Sequence, residues 1–453
     1  MPAFETIIRN GTIVTATEIR RADIGIIDGK IAAIAKSLSG SASEEIDATN
    51  LHIFPGVIDA HVHFNEPGRT HWEGIETGSR ALAAGGGTMF FDMPLNAHPP
   101  TCDADSFDLK RKAAEAKSVT DFALWGGLVP GNLKQLGKLA KRGVIGFKAF
   151  MSNSGIEDFS SVDDKTLRAG MKIAAQLNLP VAVHAESDTM TAALSQKAIA
   201  EKSTTIRDYL NSRPIAAELD AIRRAIAIAA ETGCALHVVH VSSAAGVQMV
   251  TAAHNHGINV TCETCPHYLV LTDEDVEKLG AVAKCAPPLR SKAEQGKLWA
   301  EVLNGNVLTI GSDHSPAPPK MKTSKNFFKV WGGISGVQHM LPLLIDSVAA
   351  DVRRLTLISA ATSSNIAARF NLPKSKGKIE IGCDADFVLV STNKPTRITK
   401  QALLYRHQQS PYIGRKLKAK VLRTILRGQT IFQNGKIIAK ARGRLIKPLK
   451  TEH

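Results

Sequence analysis

Eight short apolar runs, separated by helix-forming stretches, restrict this chain more than any other feature of its sequence. They are VIDAHVHF (57–64), GTMFFDM (87–93), DFALWGGL (121–128), GVIGFKAF (143–150), PVAVHAE (180–186), ALHVVHVS (235–242), NVTCETC (259–265) and VLTIGSDH (307–314). Between them, stretches such as DDKTLRAGMKIAAQLN and AAELDAIRRAIAIAAETG carry the apolar spacing of covering helices. Alternating β and α signals predict a parallel sheet with helices packed on it. Eight repeats of the unit predict a (β/α)₈ barrel of the TIM type, with its active site at the C-terminal ends of the strands. An open doubly wound sheet shares this rhythm, but no G-x-G-x-x-G turn follows the first strand.

Outside these runs the rhythm changes. IIRNGTIV and IGIIDGKIAAI set Asn-Gly and Asp-Gly between alternating apolar residues, a hairpin signal, and SLSGSASEE (37–45) is a polar loop. KGKIEIGCDADFVLVS and VLRTILRGQTIFQNGKII restore strand chemistry near the other end, the latter with two more glycine turns. The expectation is a small β-sandwich built from residues 1–54 and 372–453, beside a barrel of residues 55–371.

Composition excludes several classes. A charged fraction of 22% and a hydrophobic fraction of 44% are those of a globular protein, and no apolar run is long enough to span a bilayer. The N-terminus goes straight into strand-like alternation without the regions of a signal peptide, so a cytoplasmic location is expected, with no membrane partner. Six cysteines in 453 residues make no disulfide framework. Cys262 and Cys265 form a C-x-x-C pair without a second pair at zinc spacing, and are read as buried thiols. The net charge of +14 gathers toward the C-terminus, in GRKLKAKVLRTILRG and KARGRLIKPLK. Without interleaved aromatics it is read as a solvated basic face, and no nucleic-acid partner is expected.

The chemistry lies at the ends of the eight runs. Strict alternation puts Val57, Asp59, His61 and His63 on one face of the first strand, aimed into the barrel mouth. Ile58, Ala60, Val62 and Phe64 then face the helices. The fifth run ends in His184, the sixth in His240 and the eighth in Asp313. His237 and His314 alternate away from His240 and Asp313 and are read as structural. Lys148 lies near the end of the fourth run, where an unpartnered ammonium would cost on the order of several kcal/mol. A neutral amine near cations can instead add CO₂, and the resulting carbamate can bridge two divalent metals. Imidazole and carboxylate ligands without thiolate suit Zn²⁺, and also Co²⁺, Mn²⁺, Fe²⁺ or Ni²⁺. Such a pair of ions would activate a water between them, with Asp313 taking its proton and passing it to a leaving nitrogen.

The motifs GVIDAHVHF, GFKAFM, VAVHAE, HVVHVSS, ETCPHYL, APPLR and GSDHSP resemble the cyclic-amidase branch of the amidohydrolase superfamily. That branch holds dihydroorotases, hydantoinases or dihydropyrimidinases, and allantoinases. HVHFNEPGRTHWEGIETGSRALAAGGGTMFFDMPLNAHPPT and LLYRHQQSPYIGRKL are most similar to the allantoinase family. Dihydroorotases carry Arg where this chain has Asn65, and hydantoinases Tyr where it has Asn153. The resemblance implies one metal on His61, His63 and Asp313, another on His184 and His240, and N6-carboxylated Lys148 between them. It implies opening of the hydantoin ring of allantoin to allantoate in purine breakdown, by a homo-oligomer, commonly a tetramer. Asn65, Asn153, Ser315 and the backbone from Ala286 to Leu289 are candidate substrate contacts, and Glu66 and Arg69 a pair shaping the first loop. Hydantoinase-like or dihydroorotase-like hydrolysis is the alternative chemistry, and a non-catalytic scaffold the alternative class.

Overall fold

The computed structural model describes residues 4–348, 351–440 and 442–449. Each of the eight runs contains a strand: Val57–Val62, Gly87–Asp92, Asp121–Leu124 with Gly126–Gly127, Phe147–Phe150, Val181–His184, Leu236–Val238, Val260–Thr264 and Thr309–Ile310. Neighbours in this order pair in parallel. The third strand breaks at Trp125, its first half pairing with the second strand and its second half with the fourth. A parallel bridge between Val62 and His314 closes the ring, so the chain folds as a (β/α)₈ barrel. Helices cover it as the apolar spacing requires. In Asp164–Gln176, for example, Asp163 caps the N-terminus through Thr166 N, and Leu167, Met171 and Ala174 are buried.

Two apolar clusters separate the faces of the barrel wall. Phe90, Phe122, Leu124, Phe147, Ala149, Val181 and Val183 pack outward with the helices. Met89, Phe91, Ala123, Trp125 and Ala182 pack inward around Phe370. Strict alternation fails in the first strand. Asp59 pairs with Phe90 but Val62 with Asp92, so the first strand carries one extra residue, a bulge. Ile58 and Ala60 therefore join the inner cluster instead of meeting the helices, and Trp125 Nε1 donates to Ala60 O at 3.1 Å. Asp59 falls on the side of Phe90 rather than with the histidines. Beyond the bulge the alternation resumes, and Val62 and Phe64 pack outward.

Strands from both ends of the chain form one hydrogen-bonded sheet of nine, linked by the antiparallel pairing of His52–Pro55 with Phe387–Ser391. Its own core holds Ile8, Ile24, Ile53, Phe387, Leu389 and Ile425. Asp28-Gly29, Arg427-Gly428 and Asn434-Gly435 are tight turns with both residues left-handed. Asn10-Gly11 is no turn. Phe4–Val14 runs straight through it with a bulge, and a Cβ on Gly11 would lie 2.2 Å from Ile53 Cδ1. No helix among the described residues is long and apolar enough to cross a membrane.

Part of the basic C-terminal region is tied down rather than solvated. Lys376 is buried among Asp121 (2.7 Å), Asp384 (3.0 Å) and Asp386 (2.8 Å). Arg427 also bonds Asp121, and the backbone of Gly443 and Ile446 donates to Ser118 and Phe122 at the start of the third barrel strand.

Candidate metal centre

Six side chains from five barrel strands converge at the C-terminal rim. His61 Nε2 lies 3.3 Å and His63 Nε2 3.5 Å from Asp313 Oδ1, and the three form a group able to hold a metal ion. His184 Nδ1 faces His240 Nε2 at 3.0 Å. The His61 and His240 rings are 5.4 Å apart, which joins the two sets. His240 and Asp313 both have left-handed backbone, φ 41° and 45°, where the chain leaves its strand. Non-glycine residues seldom adopt that region, although Asp and His do so more readily than most. The turn at His240 also accounts for His237, which stays inside the barrel. It bonds Thr261 Oγ1 at 2.8 Å and meets Phe370 edge-on.

Lys148 is fully buried, and its Nζ has no hydrogen-bond partner among the described residues. Burial lowers its pKa to about 7, although the charges of Asp313 and Glu263 pull the other way. Burial likewise lowers His61, His184 and His240, favouring neutral imidazoles with a lone pair to offer. Burial would raise Asp313, but His61, His63 and His267 outweigh it and hold the carboxyl below its usual range.

Two carboxylates that strand spacing did not single out stand behind the histidines. Glu263 Oε1 meets His61 Nδ1 at 2.7 Å, and Glu186 Oε2 meets His184 Nε2 at 2.9 Å. Each leaves the opposite ring nitrogen facing the centre. Glu186 follows His184 by two residues, so alternation could have placed it on the same side. Nothing local marks Arg213, which bonds Glu186 from a loop between helices.

A cavity of about 440 Å³ opens over the centre. Of the candidate substrate contacts, Asn153, Ala286 and Ser315 line it; Asn65 does not. Asn65 is fully buried and donates to Pro316 O at 3.2 Å, while Asn96, not foreseen, reaches the cavity and lies 3.4 Å from Ser315 Oγ. Glu66 and Arg69 do not pair. Glu66 bonds Lys117 and Ile75 N, and Arg69 bonds Asp158 at 3.1 Å. All six cysteines are free thiols, and neither Cys262 nor Cys265 belongs to the metal-capable group.

The donor chemistry fits divalent cations: neutral imidazoles oriented by carboxylates, an aspartate between two of them, and a buried amine with no other partner. Residues 52–431 match the Amidohydrolase family, and the chain belongs to it. Among curated relatives, an allantoinase of Rubrobacter xylanophilus is 53% identical over 451 residues, 99% of this chain and 98% of its own. An allantoinase of Deinococcus radiodurans is 50% identical over 447 residues, 98% and 99% of the two chains. Among solved structures, the L-hydantoinase (dihydropyrimidinase) of Arthrobacter aurescens matches with a TM-score of 0.95 at 33% identity, over 98% of this chain and all of the other.

Proposed function

We propose that this chain is a hydrolase of cyclic amide carbon–nitrogen bonds whose substrate is allantoin, opened at the hydantoin ring to allantoate. One observation carries the chemistry: the fully buried, unpartnered Lys148 amine beside Asp313 and the four histidines. The full-length similarity to allantoinases supports the substrate.

In this reading His61, His63 and Asp313 hold one divalent ion, and His184 and His240 a second. Lys148 Nζ would attack CO₂ and lose a proton, and the resulting carbamate would complete the ligand set between the two groups of residues. When bound, divalent ions, most simply Zn²⁺, would supply a water of lowered pKa and a Lewis acid for the scissile carbonyl. Asp313 Oδ1 already faces His61 and His63, which leaves Oδ2 to accept the water's proton and return it to the ring nitrogen as the bond breaks. Asn96, Asn153, Ser315 and the backbone at Ala286 offer neutral donors and acceptors to a substrate rich in amide groups, at a wall that also carries Arg213, Lys284 and Lys329. A cytoplasmic homo-oligomer, tetrameric as the resemblance implies, completes the proposal. So does the division into a barrel of residues 55–371 and a β domain of residues 1–54 and 372–453.

The structural likeness to a hydantoinase favours one second reading, a hydantoin or dihydropyrimidine as substrate. Metal-loaded protein assayed side by side on allantoin, hydantoin, dihydrouracil and dihydroorotate decides between them. Allantoin should be turned over fastest; faster turnover of hydantoin or dihydrouracil moves the assignment to the second reading.

A further inference from the structure

Glu186 and Arg213 take no part in the chemistry above, yet they form a tight polar group beside it, Glu186 behind His184 and Arg213 reaching the cavity wall. Glu186 is fully buried, and its Oε2 receives His184 Nε2 at 2.9 Å and Arg213 Nη1 at 2.7 Å. An acceptor held there keeps the imidazole proton on Nε2 and leaves the Nδ1 lone pair facing His240. Arg213 is itself constrained. Its side chain is only 14% exposed, its guanidinium carbon lies 5.8 Å from the centre of the Tyr209 ring, and its carbonyl accepts from Arg290 Nη1 at 2.6 Å. Arg290 Nε donates to Ser242 Oγ at 3.0 Å, and the buried Glu218 accepts from Ser242 and Ser243. Residues after the fifth, sixth and seventh strands are thus linked into one polar network that includes Arg213 and Glu186.

His61 is served differently. Glu263 Oε1 meets its Nδ1, but among the described residues no guanidinium bonds that carboxylate; the second oxygens, Glu263 Oε2 and Glu186 Oε1, are alike in having no partner there. The two halves of the centre are therefore supported unequally.

We propose that Arg213 is a positioning residue which, through Glu186, orients His184 and so sets the affinity of the His184 and His240 half of the centre alone. The proposal rests on the two-ion reading given above. Outer partners of metal-bound histidines are worth about 10–100-fold in metal affinity.

The test titrates metal-free protein with Co²⁺, reading bound metal by equilibrium dialysis and the d–d absorption band. In a His61→Ala background the remaining ion sits on the His184 side. There, Arg213→Met or Glu186→Gln should weaken binding about 10–100-fold and shift the band, with Arg213→Lys falling between. In a His184→Ala background the same changes should leave binding and band unaltered. Equal loss in both backgrounds, or no loss in either, overturns the positioning role. Glu186→Gln preserves shape, so it carries the test should Arg213→Met not fold. Wild-type protein that binds two ions while the variants match it sinks this inference only. Wild-type protein that binds fewer than one ion per chain sinks the two-ion reading itself.

Discussion

Lys148 Nζ reaches neither solvent nor a hydrogen-bond partner, so replacing it tests more than a contact. Lys148→Ala should lower turnover at least ~10³-fold and reduce bound metal if, as proposed, this side chain joins two ions. Metal analysis beside the rate assay checks both parts, and two retained ions with a full rate would remove the bridging role. Carbamate formation also predicts that metal-free protein reconstituted in CO₂-depleted buffer regains activity slowly, and quickly once bicarbonate is added. Asn96 and Asn65 make a contrasting pair. Asn96→Ala, at the cavity wall, should raise KM about tenfold, the worth of one hydrogen bond, with metal content unchanged. Asn65→Ala should instead lower the melting temperature and spare KM, since its amide serves Pro316 O behind the wall. Residue type was readable in sequence at this scale; which asparagine faces the cavity was not. Asn65 and Asn96 both have left-handed backbone in loops, and only the packing around them differs.

The segment after the eighth strand is the element that most shapes the cavity. Met321, Phe328, Val330, Trp331 and Gly333 line it. Two lysines hold the segment, Lys284 buried and Lys322 half-buried. Lys284 Nζ donates to the carbonyls of Phe327 and Val330, both at 2.6 Å, and Lys322 Nζ to those of Ala281, Trp331 and Gly333 at 2.8–3.1 Å. Lys322→Met should leave those acceptors unmet and loosen the loop. Hydrogen exchange at residues 331–333 should quicken and KM rise several-fold while the metal stays bound; unchanged exchange would show that Lys284 alone suffices. Elements whose signal is local were legible. The apolar run and flanking helices announce each barrel strand, and Asp28-Gly29 turns as its dipeptide predicts. The Asn10-Gly11 bulge and the extra residue between Asp59 and Val62 were not legible. A bulge is a count of residues against a partner strand, and the partner's position is not written locally.

Across the whole molecule, the terminal sheet and the barrel meet at Lys376. Burial would lower its pKa, but Asp386, Asp121 and Asp384 outweigh this and raise it above the usual lysine value. A cation favoured by the fold in this way contributes stability that is complete below pH 10.5 and lost as the pH climbs through the raised folded value. Thermal unfolding should therefore fall more steeply in alkali for wild type than for Lys376→Met. Near neutral pH the variant itself should lose about 3–5 kcal/mol, because three carboxylates are left crowded without their cation. A flat alkaline profile in the wild type would show that the junction does not depend on this charge. The basic C-terminal region read as a solvated face in sequence, since a run of Lys and Arg gives no hint that Asp121, more than 250 positions away, receives Lys376 and Arg427. By itself, then, the sequence determined the order of strands and helices and the kinds of donor at the strand ends, because both rest on short-range periodicity and side-chain chemistry. Which donors meet, which carboxylate stands behind each histidine and which loop closes the cavity were decided by the tertiary structure. Barrel closure brings His61 within reach of Glu263 and Asp313, and that register is set by strands hundreds of residues apart.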